Sequence, residues 1–151
     1  MATIVLMTTL VILTVIVLHY DALSFMAKVL PQSRLSHRAR FVFGVCGATL
    51  IHIIEIALFG TCIYLVKYWP DLGSYTGNFD GSFFDSLYLS TTTYTSLGLG
   101  DIEPHGPIRL LLGLEALTGL ILITWTASFM FLGMQMHWQQ VASDAKESEN
   151  S

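Results

Sequence analysis

Three long apolar runs constrain this chain more than any other feature of its sequence. They cover residues 1–18, 41–66 and 108–133, and a membrane-spanning helix needs about 20 predominantly apolar residues. Charged residues make up 12% of the 151 residues, about half the usual share of a soluble domain. The sequence therefore predicts an all-α membrane protein with three transmembrane helices in a lipid bilayer. The net charge of −4 gives no indication of a nucleic-acid partner.

The first apolar run could be a retained helix or a signal peptide. A signal peptide begins with basic residues and ends at a small-residue cleavage site, whereas the first Lys or Arg here is Lys28. We therefore expect a retained transmembrane helix over residues 1–30 that stops before Pro31, because proline interrupts helical hydrogen bonding. His19 lies close to the end of the run and is expected at the membrane interface.

Basic residues predict the orientation of the chain. Cytoplasmic loops are enriched in Lys and Arg, so we expect the linker over residues 31–40 and the polar tail of residues 135–151 in the cytoplasm. The amino terminus and the loop over residues 67–81 are then expected outside. Four of the seven Lys and Arg residues lie in or beside the linker, namely Lys28, Arg34, Arg38 and Arg40.

A short and partly polar segment, FFDSLYLSTTTYTS, lies between the second and third runs at residues 83–96. It is too short to cross a bilayer. Ser82 and Asp85 form the pattern of a capping box, which predicts the start of a short helix. A short helix, then glycine-rich backbone, then a full span is the pattern of a re-entrant loop. Irregular backbone at membrane depth is tolerated only where protein or a water-filled cavity satisfies it, so this segment predicts a pore or a buried site.

The residues that follow, Leu97-Gly98-Leu99-Gly100, alternate leucine with glycine. Glycine adopts backbone angles that other residues avoid, so successive carbonyl groups can turn to one side, and four chains around one axis would form rings of oxygen atoms. Such rings can replace the water shell of a cation. The negative carboxyl end of the short helix would favour a cation in the cavity, and Asp101 would attract cations at the outer mouth. The two leucine side chains are expected to pack outward against the short helix.

These residues resemble the pore module of potassium channels, whose filter commonly reads T-V-G-Y-G-D. The resemblance extends over residues 41–134, which are similar to small bacterial potassium channel proteins with an additional amino-terminal helix. It implies a homotetramer in the bacterial inner membrane that conducts potassium passively at the filter carbonyl groups. It implies no enzymatic activity and no cofactor besides the permeant ion. The six filter positions fall on Ser96, Leu97, Gly98, Leu99, Gly100 and Asp101.

Two departures from the family pattern leave alternatives open. Ser96 replaces threonine and keeps the hydroxyl, whereas Leu99 replaces a tyrosine whose hydroxyl commonly forms a hydrogen bond behind the filter. The chain could therefore be a weakly selective cation channel, or a non-conducting membrane sensor or accessory subunit. A small membrane enzyme that uses His52 and Glu55 is a further alternative, but the sequence shows no nucleophile triad, metal-binding cluster or cofactor motif to support it.

Three polar residues interrupt the second and third runs at similar depth. His52 and Glu55 share a helix face because they are three residues apart, and Glu115 lies about 12 Å inside the third run. A charged side chain at this depth is unfavourable by about 2.5–3.5 kcal/mol. We interpret the three residues as a hydrogen-bonded brace for the short helix, or alternatively as a cluster that senses protons or a ligand. Two potential ligands do not make a metal site, so none is expected.

The third apolar run predicts a transmembrane helix that turns one face toward the pore. Gly119 matches the hinge glycine of the family's inner helix, and a packing glycine is the alternative. Residues at helical spacing on one face would line the inner vestibule, although helix packing produces the same period. These residues are Leu120, Ile123, Ala127 and Phe131.

Overall fold

Four helices account for most of the chain in the computed structural model. The structure describes the backbone of residues 1–149 and the side chains of residues 1–36, 38–136, 138 and 139. Three of the helices, the first, second and fourth, are long and apolar enough to cross a membrane. The prediction of three such helices, with a short one between the second and third, is confirmed. The helices are α1 (Ala2–Gln32), α2 (His37–Leu65), α3 (Phe83–Tyr94) and α4 (Ile108–Glu149).

One face of α1 packs along α2 and α4. Its buried residues recur every three or four positions, which is the period of a helix face, whereas Val5, Leu6 and Leu10 on other faces are exposed. Apolar side chains can remain exposed in such a helix because lipid tails are as apolar as leucine. The buried residues of α1 are Ile4, Thr8, Val11, Val15, His19 and Leu23.

The connection between α1 and α2 is shorter than predicted. α1 includes Pro31 in its last turn and ends at Gln32, so the expectation that it stops before this proline is wrong. A proline so close to the end removes a single helical hydrogen bond, and the helix stops one residue later. Ser36 caps α2, since its hydroxyl accepts a hydrogen bond from Ala39 N at 3.4 Å. The first turn of α2 therefore contains two of the basic residues that were predicted for the linker.

A two-stranded antiparallel ribbon adds to the predicted all-α architecture. Strand β1 (Ser74–Gly77) precedes α3, and strand β2 (Ile102–His105) follows the glycine-rich residues, with Gly77 opposite Ile102. Sequence patterns miss this ribbon because each strand has only four residues and β2 contains Pro104, which is unfavourable in a sheet interior. The ribbon closes residues 78–101 into one loop whose two ends are fixed side by side.

α3 begins where the capping-box pattern predicts. The hydroxyl of Ser82 accepts a hydrogen bond from Asp85 N at 3.1 Å. The Asp85 carboxylate accepts its own hydrogen bond from Asp80 N, at 2.7 Å, rather than from Ser82. Hydrogen bonding with Ser82 lowers the pKa of Asp80 below its usual value. α3 packs against both α2 and α4, so its position depends on two of the long helices.

α4 continues well beyond the third apolar run, from Ile108 to Glu149. The predicted polar tail of residues 135–151 is thus helical as far as the structure describes it. Glutamine, alanine and glutamate recur in this stretch, and all three have favourable intrinsic helix propensity.

Candidate functional site

The backbone after α3 alternates between two conformations. Ser96, Gly98 and Gly100 have positive φ angles of 58°, 52° and 77°, whereas Leu97 and Leu99 between them do not. A Cβ atom on either glycine would meet nothing within 4 Å, so glycine is required here for its backbone angles and not for space. The alternation is neither helix nor strand. We refer to residues 96–100 as the glycine-rich segment.

The carbonyl oxygens of the glycine-rich segment accept no hydrogen bond from the residues that the structure describes. Several of its amide groups, in contrast, are used. Leu97 N and Gly98 N both donate to Thr92 O, at 2.9 and 3.1 Å, and Ser96 N donates to Thr93 O at 2.9 Å. These bonds hold the start of the segment against the carboxyl end of α3. Backbone carbonyl groups are strong hydrogen-bond acceptors, so the unpaired oxygens are available to a cation or to water.

Leu97 and Leu99 are not covered by α3. Their side chains are 64% and 58% exposed, so the expectation that they pack against the short helix is wrong for the single chain. The hydrogen bonds of α3 reach the beginning of the segment, through Thr92 and Thr93, and Asp101 beyond its end, and they leave the two leucine side chains between them uncovered. In the single chain, two large apolar side chains are thus uncovered beside unpaired carbonyl groups.

The far end of the glycine-rich segment is held by both α3 and the ribbon. The carboxylate of Asp101 accepts a hydrogen bond from Tyr88 Oη at 3.1 Å, and its backbone carbonyl accepts one from Asn78 N at 2.8 Å. A Cβ atom on Gly77 would lie 2.2 Å from Asp101 O, so β1 has room only for glycine there. The Asp101 side chain is exposed, and these hydrogen bonds hold its negative charge in a fixed position beside the end of the segment.

A buried polar cluster connects all four helices. Glu55 Oε1 of α2 lies 2.9 Å from His19 Nδ1 of α1, and both side chains are fully buried. Glu55 Oε2 lies 3.0 Å from His52 Nδ1 and accepts a hydrogen bond of 2.5 Å from the hydroxyl of Tyr94, the last residue of α3. Thr126 Oγ1 of α4 lies 3.1 Å from His52 Nε2 and 3.3 Å from His19 Nε2. We call these five residues the Glu55 cluster.

His19 is a candidate functional residue whose predicted position is wrong. It was expected at the membrane interface, but it is fully buried and bonded to Glu55. The signal that would have found it is the helical period of α1, because His19 lies on the same face as Val11 and Val15. A polar residue on the packing face of a membrane helix needs a partner on a neighbouring helix.

The structure also changes the number of potential metal ligands. Donor atoms of His19, His52 and Glu55 all lie within 4.8 Å of one another. The expectation against a metal site rested on two ligands, and the structure brings three together. All three side chains also have hydrogen-bond partners within the Glu55 cluster.

Glu115 lies apart from the Glu55 cluster and contacts α3 one turn earlier. Ser90 Oγ is 2.5 Å from Glu115 Oε1 and 2.8 Å from the carbonyl oxygen of Ile56. A hydroxyl carries one proton, and the Ile56 carbonyl can only accept, so both contacts are hydrogen bonds only if Glu115 supplies a proton of its own. The three residues predicted as one brace thus form two separate contacts on α3, at Ser90 and at Tyr94.

Substitutions of Glu115 test its protonation. Glu115→Gln is expected to retain thermal stability, because an amide group can donate to Ser90 Oγ as the neutral acid does. Glu115→Ala removes this bond from a buried site and should lower the free energy of unfolding by about 1–3 kcal/mol. Thermal unfolding of the purified protein in detergent measures both effects. An amide variant as unstable as the alanine variant would show that Glu115 is ionised in the wild type.

α4 has one face against α3 and another that is exposed. A Cβ atom on Gly119 would lie 2.3 Å from Tyr94 O and 2.9 Å from Tyr94 Cγ, so this glycine permits close packing of the two helices. The residues predicted to line the pore lie on the exposed face and are free for contact with other copies or with water. They are Leu120, Ile123, Ala127 and Phe131.

Comparison with known families matches the part of the chain that contains these features. A family model described as "Ion channel" matches residues 51–134, which is more than half of the chain. The match covers the second half of α2, all of α3, the glycine-rich segment and the apolar part of α4, and it does not include α1. No curated protein matches the chain.

Proposed function

The chain belongs to the ion channel family, and from this premise we propose that it conducts monovalent cations, with a preference for potassium, through a pore shared by four copies. The matched family has a potassium-channel-type pore domain with two transmembrane helices, which correspond to α2 and α4. The protein is a multi-pass membrane protein, and α1 is an additional span. Transport through such a pore is passive, so the proposal includes no enzymatic step and no cofactor besides the permeant ion.

The glycine-rich segment is the observation that carries this proposal. Its carbonyl oxygens have no donor among the described residues, and every second residue has a positive φ angle. A cation that leaves its water shell needs several oxygen ligands at once, whereas one chain supplies one row of them. Four copies around one axis would complete rings of oxygen atoms at residues 96–100. The same arrangement would bring neighbouring copies to the uncovered Leu97 and Leu99 side chains.

Negative potential at both ends of the segment supports cation selectivity. The carboxyl end of a helix carries about half a negative charge, and α3 ends two residues before Ser96. The Asp101 carboxylate lies at the other end. In the proposed tetramer the exposed face of α4, from Leu120 to Phe131, lines the inner vestibule. Gly119 directly precedes Leu120 and lies on the other face of α4, where it packs on Tyr94.

We propose that the basic region between α1 and α2 lies in the cytoplasm. Four of the seven Lys and Arg residues are concentrated there, and this asymmetry sets the orientation of most membrane proteins. The amino terminus and the ribbon then lie outside, and the carboxyl terminus lies inside. α3 and the glycine-rich segment form a re-entrant loop from the outer face, in the inner membrane of a bacterial cell.

A weakly selective cation channel is the second candidate, and one observation favours it. The Leu99 side chain is 58% exposed and cannot form a hydrogen bond. If the neighbouring copy does not cover it closely, the oxygen rings would hold their spacing less firmly. Selectivity in such filters depends on cavity size, on the number and field strength of the carbonyl groups, or on both, and each of these requires a firmly held backbone.

Fourfold assembly is the first expected result. Native mass spectrometry of the detergent-solubilised protein should show four subunits, because one chain provides one row of oxygen ligands. Chemical cross-linking in the membrane should likewise give products of up to four subunits and no larger ones. A monomer or dimer that still conducts cations would contradict the proposal.

Potassium selectivity is tested by the permeability ratio of potassium to sodium in a planar bilayer. The wild type is expected to prefer potassium, and Leu99→Tyr should leave the ratio equal or higher. A tyrosine hydroxyl behind the filter can add a hydrogen bond, which contributes about 0.5–1.5 kcal/mol in each subunit. The matched control is Leu10→Tyr, which places the same residue at a similarly exposed position on α1 and should change nothing.

The outcomes of this experiment separate the candidates. A wild-type ratio near one would support the weakly selective channel. The absence of flux from liposomes that contain the assembled wild-type protein would support a non-conducting sensor or accessory subunit. Loss of flux in Leu99→Tyr alone would show that the space behind the glycine-rich segment has no room for an aromatic ring.

A further inference from the structure

The Glu55 cluster brings the donor atoms of a metal site together inside the helix bundle. His19 and Glu55 are fully buried, and His52 lies on the same face of α2 three residues before Glu55. One donor atom from each of these residues lies within 4.8 Å of the other two. Two histidines and one glutamate are a ligand set that holds Zn²⁺ and keeps a fourth position for another ligand. Metal sites in helical bundles are built in the same way, from side chains on facing helices.

The distances between the donor atoms suit a transition-metal ion. Glu55 Oε1 lies 2.9 Å from His19 Nδ1, and Glu55 Oε2 lies 3.0 Å from His52 Nδ1. Zinc bonds to nitrogen and oxygen are about 2.0–2.2 Å long, which places tetrahedral ligands about 3.3–3.6 Å apart. Side-chain movements of about 1 Å or less bring the three donors to that spacing.

The hydrogen atoms of the cluster are fewer than its short contacts. The Nδ1 atoms of the two histidines face both Glu55 oxygens, and His52 Nδ1 also lies 3.0 Å from Tyr94 Oη, which donates to Glu55 Oε2. Both Nε2 atoms face Thr126 Oγ1, at 3.3 and 3.1 Å. These are six contacts, whereas two neutral imidazoles and two hydroxyls carry about four hydrogens in all. With Glu55 ionised, hydrogens must therefore be shared between contacts.

A bound metal ion gives each remaining contact a hydrogen of its own. Coordination replaces the three contacts that the Nδ1 atoms make. Each Nε2 atom then carries a hydrogen and donates it to one of the two lone pairs of the Thr126 hydroxyl, while Tyr94 donates to Glu55. A histidine that binds a metal through one nitrogen almost always donates its other N–H to an outer partner. The carboxylate of Glu55 supplies the negative charge that a buried cation requires.

From this arrangement we infer that the Glu55 cluster is a binding site for one divalent transition-metal ion. The ligands are His19, His52 and Glu55, and Thr126 is the residue that positions both imidazole rings. Zn²⁺ is the expected ion, because imidazole suits zinc whereas Mg²⁺ and Ca²⁺ prefer oxygen ligands. The His52 side chain is 17% exposed, which leaves one side of the site open in the single chain.

The ion joins three helices close to the glycine-rich segment. It links α1 to α2 directly, and it holds α3 through Tyr94, the last residue of that helix, which donates to Glu55. The ion is a structural ligand with no part in the transport step. The inference therefore concerns the stability of the helix bundle and does not depend on whether the pore conducts.

The metal content of the purified wild type is the first measurement. The protein is expressed in medium that contains zinc and purified without a polyhistidine tag, which would itself bind metal. Inductively coupled plasma mass spectrometry should show one zinc ion for each chain after dialysis. Removal of the ion by a chelator should lower the thermal midpoint in detergent by about 5 °C or more, since a ligand of the folded state stabilises it. Zn²⁺ should restore the midpoint, whereas Mg²⁺ should not.

His19→Asn tests the ligand from α1. Asparagine keeps an N–H group toward Glu55 but offers zinc no imidazole nitrogen. Its zinc content should fall to a trace, and the chelator should no longer change its midpoint. The matched control is His105→Asn, at an exposed histidine of β2 that bonds Thr76. This control should retain one zinc ion for each chain and the full effect of the chelator.

Thr126→Val tests the positioning residue. Valine has the shape of threonine but lacks the hydroxyl that both Nε2 atoms face, so the Kd of the chelator-treated protein for zinc should rise by about 10–100-fold. Thr124→Val is the control on the same helix, because the Thr124 hydroxyl is exposed and bonds the carbonyl group of Leu120. It should leave the Kd for zinc unchanged.

Two results would overturn the inference. The first is a wild type with only trace metal, both as purified and after incubation with Zn²⁺, and with a midpoint that the chelator does not change. Hydrogen bonds alone would then hold the cluster. The second is an assembled His19→Asn protein with the zinc content of the wild type, which would place the ion elsewhere. If His19→Asn does not assemble, the comparison of Thr126→Val with Thr124→Val decides: equal affinities for zinc overturn the inference, and a weaker affinity in Thr126→Val supports it.

Discussion

Glu55→Ala is expected to be the most destabilising single substitution in the membrane-spanning helices. The carboxyl group of Glu55 contacts His19, His52 and Tyr94, all within 3.0 Å, and alanine leaves these polar groups without their partner. Each buried group left unpaired is unfavourable by about 1–3 kcal/mol. We expect the loss of more than one such group in each subunit, and therefore loss of the assembled protein at ordinary temperature. The measurement is the yield and thermal midpoint of the oligomer in detergent.

The controls separate this effect from a general effect of removing a glutamate. Glu103→Ala removes an exposed glutamate from β2 and should leave the midpoint nearly unchanged, because exposed surface substitutions change stability by about 0.5 kcal/mol or less. Glu55→Gln should be far milder than Glu55→Ala, since the amide retains a hydrogen-bonding group toward each neighbour. A Glu55→Ala protein with the midpoint of the Glu103→Ala protein would contradict the structure.

Gly119→Ala is the second substitution with a large expected effect. A Cβ atom at this position would lie 2.3 Å from Tyr94 O, 2.9 Å from Tyr94 Cγ and 3.0 Å from Tyr94 C. Two of these atoms belong to the backbone, so a rotamer change cannot relieve the contact, and α4 must move away from the end of α3. Such overpacking is unfavourable by about 1–3 kcal/mol. We expect a lower thermal midpoint together with reduced cation flux.

Two other glycines on the same helix provide matched controls for Gly119→Ala. A Cβ atom on Gly113 or Gly133 would meet nothing within 4 Å. Gly113→Ala and Gly133→Ala should be neutral or stabilising by up to about 1 kcal/mol, because alanine is the better helix former. If Gly119→Ala loses flux but keeps the stability of these controls, Gly119 is a hinge and not a packing residue.

The additional helix α1 contributes to the proposed pore from outside the family match. Its residue His19 contacts Glu55 of the matched region, and Glu55 contacts the last residue of α3. α1 is thus linked to the glycine-rich segment through two side chains and the end of one helix. This connection explains why a histidine is found on the packing face of a membrane helix, where an apolar residue would be more favourable in the absence of a partner.

The features that depend on neighbouring residues could be predicted from the sequence. Run length and apolar content identified the three long helices, Ser82 and Asp85 identified the start of α3, and the two glycines identified a backbone that is neither helix nor strand. Each of these features follows from local chemistry: hydrophobic length, a capping hydroxyl and the angles open to glycine. The same residues carried the resemblance to channel pores.

Which polar groups meet depends on how the helices pack and could not be predicted from local patterns. His19 and Glu55 are 36 residues apart, and Glu115 meets Ser90 instead of Glu55. Hydropathy treats every polar residue in an apolar run alike. The partner of each polar residue depends on how the helices are oriented about their axes and on how closely they pack. The exposure of Leu97 and Leu99 and the contact of Gly119 with Tyr94 depend on packing in the same way. The packing of helices in three dimensions, which no local pattern encodes, therefore determined the buried network around the glycine-rich segment.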